Sequence, residues 1–350
     1  MVGRTIRGSV AVLLIALWAI QQGRAEPLRI LVFSKTAGFR HSSIAAGIQS
    51  IGELGAEYGF DVNATEDATQ FTDAGLASYD AVVFLSTTGQ VLNTAQEDAF
   101  ERFIQAGNGF VGIHAAADPA TTGTHFWPWY VELLGARFRS HPAQQNATIE
   151  VVSHDHPSTA HLDTTWQRFD EWYEFRDYSD EVTLLLELDG DSYNNGGGID
   201  GFFPHAWYHE FDGGRSWYTA GGHTADSFSE PDFRRHLAGG ILWAASDPGD
   251  YNRDGAVDAA DYVAWRKSLG QTGLGLAADG NFNSEVDAAD YDVWRAHFGT
   301  VGADGASTLS IINAAAPEPG SEAMLMAALL ATAVLRPLRG AALQRKSGGV

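Results

Sequence analysis

The stretch NGFVGIHAAAD, Asn108 to Asp118, constrains the fold of this chain more than any other. Phe110 to Ile113 is an apolar run of strand length that enters a turn at His114, and the small residues after it let a helix or loop pack close behind. In an open parallel α/β sheet, ligands bind outside the carboxyl ends of the strands. His114 stands at such an end.

The region from Arg29 to Ala245 alternates in the same manner. RILVFS (Arg29 to Ser34) and YDAVVFLST (Tyr79 to Thr87) are β-rich apolar runs, and Ile44, Ile48, Ile51, Leu54 and Tyr58 recur between them at helical spacing. A second helix is predicted to open on a capping box of Thr94 with Glu97, to run through Phe100, Phe103 and Ile104, and to stop at Gly107. Strands joined through helices imply right-handed crossovers and a parallel sheet. Further on, ATIEVVS (Ala147 to Ser153) and VTLLLELD (Val182 to Asp189) read as strands, with DEWYEF (Asp170 to Phe175) between them. AWYHEF (Ala206 to Phe211) and RSWYTA (Arg215 to Ala220) flank Asp212-Gly213-Gly214, a hairpin turn, and a last helix spans Pro231 to Ala245.

Composition narrows the chemistry. The chain has no cysteine, which removes thiolate nucleophiles, disulfides, Cys-ligated zinc and iron–sulfur clusters. With 44 acidic against 22 basic residues, a formal charge of −22 repels a phosphate backbone, so no nucleic-acid partner is expected and divalent cations are. His114, His141, His205, His209 and His223, with Asp118 and Glu171, are candidates for one cluster at the carboxyl edge of the sheet. Imidazole exchanges a proton near neutral pH and, when neutral, ligates a divalent transition metal. His205 and His209 would share a helix face, but on a strand they stand apart and form no zinc motif. Any one histidine alone is more readily a hydrogen-bonded structural residue. Lys35 directly follows the first strand and is expected to point into the same crevice, where it would hold an anion or a sugar hydroxyl, while Arg40 and His41 read equally as caps of the next helix. Trp127, Trp129, Trp172, Tyr173, Trp207 and Trp217 suit a carbohydrate ligand, whose rings stack on aromatic faces, although most are expected in the core. Alternation should send one of Trp217 and Tyr218 inward.

A repeat follows. DYNRDGAVDAADYVAWRKSLG from Asp250 and DGNFNSEVDAADYDVWRAHFG from Asp279 each offer oxygen ligands at alternate loop positions. These are Asp250, Asn252, Asp254, Asp258 and Asp261, then Asp279, Asn281, Asn283, Asp287 and Asp290, with backbone carbonyls of Ala256 and Glu285 between. The pattern is that of EF-hand loops, which hold calcium through oxygens and lead into a helix. Gly255 meets the turn requirement at the sixth position and Ser284 departs from it. Tyr262, Trp265 and Leu269, and Tyr291, Trp294 and Phe298, are expected to pack the two helices together. The doubled units resemble a dockerin type I module, which implies a cohesin-like partner; the Ala259-Ala260 and Ala288-Ala289 pairs carry no obvious partner code.

Both ends read as address labels. Arg4 and Arg7 precede an apolar run, Val10 to Ile20, and a small-residue site ending at Ala25, the layout of a secretory signal peptide. PEPG (Pro317 to Gly320), an apolar run and Arg336 resemble the PEP-CTERM sorting signal, which implies export, a sortase and a transient membrane association on the way to an extracellular or cell-surface location.

KTAGFRHSSI, FLSTTG, GFVGIHAAAD, WPWY, SHP, DEWYEF, AWYHEFDGGRSWYTAGGHT and GGILWAA together resemble the ThuA-like family, named for trehalose utilisation, over almost all of Arg29 to Ala245. The resemblance implies an α/β, flavodoxin-like fold similar to class I glutamine amidotransferases, a parallel sheet with helices on both faces, followed by the small all-α calcium-binding dockerin-like module. His114 matches the elbow where those amidotransferases carry a nucleophilic cysteine, and His223 resembles their late histidine. Without a thiol, acyl-enzyme glutaminase chemistry cannot operate. The implied activity is that of an exported protein acting on a sugar or keto-sugar derivative, as a hydrolase or isomerase, by His-based acid/base or metal-assisted chemistry. His114, His223, Asp118, Glu171 and Lys35 are its expected catalytic residues, with His141, Trp129, Trp172, Tyr173, His205 and His209 around the substrate. The alternative is a non-catalytic sugar-binding or scaffolding protein that keeps the fold. The expected order is a signal peptide (1–25), the ThuA-like domain (26–246), the calcium loops (247–300), a linker (301–316), the sorting signal (317–340) and a tail (341–350).

Overall fold

The structure, a computed structural model, describes residues 27–118 and 126–301. The expected signal peptide, sorting signal and tail lie outside the described residues, as does all but the first residue of the linker.

Five strands, β1 (Arg29–Phe33), β2 (Asp61–Thr65), β3 (Ala81–Leu85), β4 (Gly109–Ile113) and β11 (Gly214–Thr219), pair in parallel in the order β2-β1-β3-β4-β11, with the polar β2 at the edge. The sheet then continues antiparallel through β10 (Pro204–Phe211), β9 (Thr183–Leu188), β6 (Gln145–Val151) and β7 (Thr165–Asp170), to nine strands. The expected parallel sheet is thus one part of a larger mixed sheet, and the expected hairpin of β10 with β11 joins it to the antiparallel part. Between β6 and β10 the chain has only the 3₁₀ turn Gly190–Ser192, and without a crossover helix consecutive strands cannot return to the same end. A separate ribbon pairs β5 (Arg137–Ser140) with β8 (Glu174–Arg176).

Helices cover both faces of the parallel half, and strand alternation divides the core between them. Ile30 and Val32 of β1 pack with α1 (Ile44–Tyr58), while Leu31 and Phe33 belong to the core on the other face, which α2 (Asp73–Leu76), α3 (Thr94–Gln105) and α4 (Pro128–Leu134) cover. The last helix of this domain, α5 (Pro231–Ala245), joins α1 on the first face. Because both faces are covered, Trp217 and Tyr218 are both buried, each in a different core, which corrects the expectation that only one would be. The capping box of α3 also lies one residue earlier than expected. Asn93 accepts from Gln96 N (3.1 Å) while the Gln96 side chain accepts from Asn93 N (2.9 Å), and Glu97 is buried instead. Asparagine is as strong an N-cap as any residue.

Beyond Ser246 the two repeats form α6 (Ala259–Ser268) and α7 (Ala288–His297), each preceded by its acidic loop. Trp265 donates to the Asp287 carbonyl (2.7 Å) and Trp294 to the Asp258 carbonyl (2.8 Å), so each helix is tied to the start of the other. Tyr251, Trp265, Ala278 and Val286 make a small core. Leu269 and Phe298, each at a C-cap past its helix end, are 40% and 47% exposed, and Phe298 still lies against the Trp294 ring (5.1 Å between centroids). Phe282 packs against one core of the large domain. Among the described residues no helix is long and apolar enough to cross a membrane.

Candidate functional site

The carboxyl ends of β1, β3, β4 and β11 form one edge, and the side chains that matter converge above β4 and β11. His114 closes β4 in the left-handed region, at φ +52°, a conformation that costs a non-glycine residue about 1–3 kcal/mol. The Tyr218 hydroxyl holds the His114 carbonyl in place (2.8 Å). The ring is fully buried, and its Nδ1 faces the Ala220 carbonyl at 2.8 Å. A carbonyl only accepts, so Nδ1 carries the proton and Nε2 presents a lone pair.

That lone pair meets two partners from far along the chain. His114 Nε2 lies 3.1 Å from His223 Nδ1 and 3.7 Å from Glu171 Oε2, and His223 Nδ1 lies 3.0 Å from the same carboxylate oxygen. The other Glu171 oxygen stands 3.1 Å from Nδ1 of His141, whose side chain is exposed. His41 sets its ring edge-on to His114 (4.8 Å between centroids) and His223 (5.1 Å), and the Tyr173 ring lies 4.2 Å from that of His114.

The loop that carries His223 follows β11 and is held by one carboxylate. Asp170, the last residue of β7 and fully buried, accepts from the backbone N–H groups of Gly222 (2.9 Å), His223 (3.1 Å) and Thr224 (3.3 Å), and from the Ser227 hydroxyl (2.9 Å). The next residue is Glu171, so one dipeptide supplies both the clamp for the loop and the carboxylate of the cluster. Ser43, just before α1, adds a bond to the Gly222 carbonyl (3.0 Å).

Burial drives His41 down to about 4, helped by the neighbouring His223, and burial with the neighbouring His41 drives His114 well below the ordinary imidazole range. Both are neutral at pH 7, as metal ligands must be. Burial also acts downward on His223, but the hydrogen bond and charge of Glu171 outweigh it and hold this ring above its ordinary value. The ligand-type atoms of His41, His114, Glu171 and His223 lie within 4.8 Å of one another. Ligands about 2.0–2.2 Å from a tetrahedral zinc ion stand roughly 3.4 Å apart. The 3.0, 3.1 and 3.7 Å separations bracket that value, and the bond from His114 Nδ1 to a carbonyl is the usual support for a ligating imidazole. The donor set fits a divalent transition metal.

The other expected site residues divide. Tyr173 and His141 border the cluster. Asp118 ends the 3₁₀ turn after His114, pairs with Thr88 in an isolated bridge beyond the strand ends and lends its charge to Tyr173, without belonging to the four. The expectation that Lys35 shares the crevice is corrected. Its ammonium donates to the Val91 carbonyl (2.9 Å) and lines a separate groove of about 470 Å³ with Glu66, Asp67, Gln90 and Gln96. Trp129 donates to Asp212 (2.8 Å) in the hairpin turn before β11, at the amino edge of the sheet, opposite the cluster. Trp172 is fully buried and bonded to the Gln145 carbonyl (2.8 Å). His205 is buried against Trp172 and pushed down to about 3 by burial and then by the Arg168 charge. His209 bonds the Leu133 carbonyl (2.8 Å). All three belong to the packing: His205 and His209 stand on β10, an interior strand of the sheet between β11 and β9, and Trp172, in the turn between β7 and β8, packs against His205. Sequence reasoning placed His41 only as a cap and did not single out Asp170. The available signal was position, since the loop after β1 opens on the same edge as the turn after β4.

In the second unit the two loops repeat each other. Asp250 accepts from Asp254 N and Gly255 N, and Asp261 from Asn252 N and Asp258 N; Asp279 accepts from Asn283 N and Ser284 N, and Asp290 from Asn281 N and Asp287 N. Burial raises all four carboxyls, Asp250 to about 7 and Asp279 to about 6. Gly255 takes φ +84°, and Ser284 is forced to φ +70° at the matching position.

A family model described as trehalose utilisation (ThuA) matches residues 29–244, and one described as a dockerin type I domain matches residues 248–297. The crystal structure of a ThuA-like protein from Bacteroides uniformis is similar at 24% identity and a TM-score of 0.54, over 64% of this chain and 93% of that one. A ThuA-like protein from Parabacteroides merdae is similar at 19% identity and a TM-score of 0.52, over 63% of this chain and 90% of that one. At these identities the likeness shows the fold. Comparison with curated proteins found no match.

Proposed function

The chain belongs to the trehalose-utilisation (ThuA) family, and from that premise we propose that it is a carbohydrate-active enzyme acting on a sugar or keto-sugar derivative at the His41, His114, Glu171 and His223 centre. The observation that carries this reading is the meeting of His114 Nε2, His223 Nδ1 and Glu171 Oε2 within 3.0–3.7 Å at the carboxyl edge of the sheet. These four side chains would hold a divalent transition metal, which when bound supplies Lewis-acid polarisation of a sugar carbonyl or hydroxyl. Glu171 orients the cluster with one oxygen and faces His141 with the other. His141 reaches solvent and can carry a proton between Glu171 and the substrate or bulk water. Tyr173 walls the buried side of His114 and keeps water from that face.

For the second unit, the family match over 248–297 and the doubled oxygen pattern support calcium binding and attachment to a cohesin-like partner. Such a module acts outside the cytoplasm, in keeping with the secretory layout of the first 25 residues. Asp250, Asp254, Asp261, Asp279 and Asp290 would supply the charge that a calcium ion neutralises.

Elemental analysis of the purified protein and turnover of a panel of disaccharides, including trehalose and its keto derivatives, test the first reading. His114→Ala and Glu171→Gln should each lower turnover at least about 100-fold. Sugar binding without turnover in the wild type would instead favour the non-catalytic, sugar-binding reading.

A further inference from the structure

We infer that Phe39 is a stacking platform for a pyranose ring at the mouth of the imidazole cluster, an inference that rests on the carbohydrate reading above. At 69% exposure Phe39 is the most exposed large apolar side chain among the described residues. An isolated exposed phenylalanine means little by itself. This one stands edge-on against His41, with 4.9 Å between ring centroids, and His41 in turn packs against His114 and His223. The aromatic ring thus continues the row of rings from the buried centre to solvent.

The loop that presents it is fastened. Ala37 N and Gly38 N donate to the Thr88 carbonyl (2.7 and 3.2 Å), and the Thr88 hydroxyl donates to the Phe39 carbonyl (2.7 Å). Gly38 lies so close that a Cβ there would come within 3.3 Å of the Thr88 hydroxyl oxygen. The beginning of the loop pairs with the same residue, Thr36 beside Thr88. A flat apolar face held at a fixed place beside polar, proton-bearing groups matches the two-sided character of a pyranose, whose axial C–H groups form an apolar face while its hydroxyls seek hydrogen bonds. Phe39 would set the orientation of the ring, and the cluster would act on it.

The test uses the full chain with trehalose as probe, followed by saturation-transfer NMR and titration. Phe39→Ala and Phe39→Leu should weaken binding about fivefold, and Phe39→Trp should restore it. Leucine keeps apolar bulk against His41 but offers no flat face, so wild-type affinity in Phe39→Leu would overturn stacking, as would affinity in Phe39→Ala within twofold of wild type. If the wild type binds neither trehalose nor any other sugar of the panel, the carbohydrate reading fails and this inference with it. If the wild type binds and the Phe39 variants do not differ from it, this inference alone fails.

Discussion

Replacing Asp170 with asparagine removes one charge and alters a single atom, yet it reaches four of the hydrogen bonds that shape the loop of His223. Oδ1 accepts from His223 N and Thr224 N, and Oδ2 from Gly222 N and the Ser227 hydroxyl. In Asp170→Asn the new amide oxygen can serve one of these pairs, and its NH₂ group must face the other. If it faces Gly222, the Ser227 hydroxyl can turn and accept, but the Gly222 N–H is left buried without an acceptor, at about 1–3 kcal/mol. The surviving bonds lose charge assistance, which is worth roughly 1 kcal/mol each. The guanidinium of Arg168, 3.6 Å from Asp170 and itself buried, keeps only Glu230 as a counter-charge. The expected loss is about 3 kcal/mol, or a fall in Tm of roughly 6–12 °C for a domain of this size. Thermal unfolding followed by circular dichroism measures it, and turnover should fall as well because His223 loses its position. A shift under 2 °C would mean that the loop is held by something other than this carboxylate, and the account of how the site is built would be wrong.

Further outcomes follow from other parts of the molecule. Gly109→Ala places a Cβ 2.2 Å from the Ala244 carbonyl oxygen and should destabilise by about 1–3 kcal/mol, read by urea unfolding, because α5 sits directly on β4 there. Ser284→Gly relieves a left-handed serine and should tighten calcium binding in the second loop about fivefold, measured by titration calorimetry, with the first loop unchanged. Chelation of calcium should melt α6 and α7, which have only a four-residue core of their own, and a far-ultraviolet signal unchanged by chelator would refute that dependence. Burial holds His156 and His205 near 3, with the Arg168 charge also acting on His205. Unfolded imidazoles take up protons near 6.5, so stability is intact above that pH and falls as pH drops below it, by about 2 kcal/mol per residue between pH 7 and 5. His156→Asn should abolish about 2 kcal/mol of that acid sensitivity in urea titrations at the two pH values.

Much of the scaffold was legible because it is written locally. Apolar runs such as RILVF and GFVGI, separated by helical periodicity, mark strands buried on both faces, and the place of His114 at the end of one of them follows from the run itself. The acidic loops are equally local, since all the candidate ligands of each lie within one short segment that ends in the first turn of a helix. The site is another matter. His114 and His223 meet across 109 residues, and Asp170 reaches the loop of His223 across more than 50. Which loops open on one edge depends on the strand order β2-β1-β3-β4-β11, and that order arises from non-local pairing.

The sequence by itself determined the alternation of strands and helices, the absence of thiol chemistry and the doubled oxygen pattern, because periodicity and side-chain chemistry do not depend on distant neighbours. Only the tertiary structure decided that His41 joins His114, Glu171 and His223, that Lys35 and Trp129 lie elsewhere, and that His205, His209 and Trp172 are packing residues. Burial and proximity belong to the assembled sheet, which encloses Trp172 and His209 with a ring nitrogen of each bonded to a backbone carbonyl and encloses His205 with both ring nitrogens unpartnered, at a cost no local sequence pattern announces.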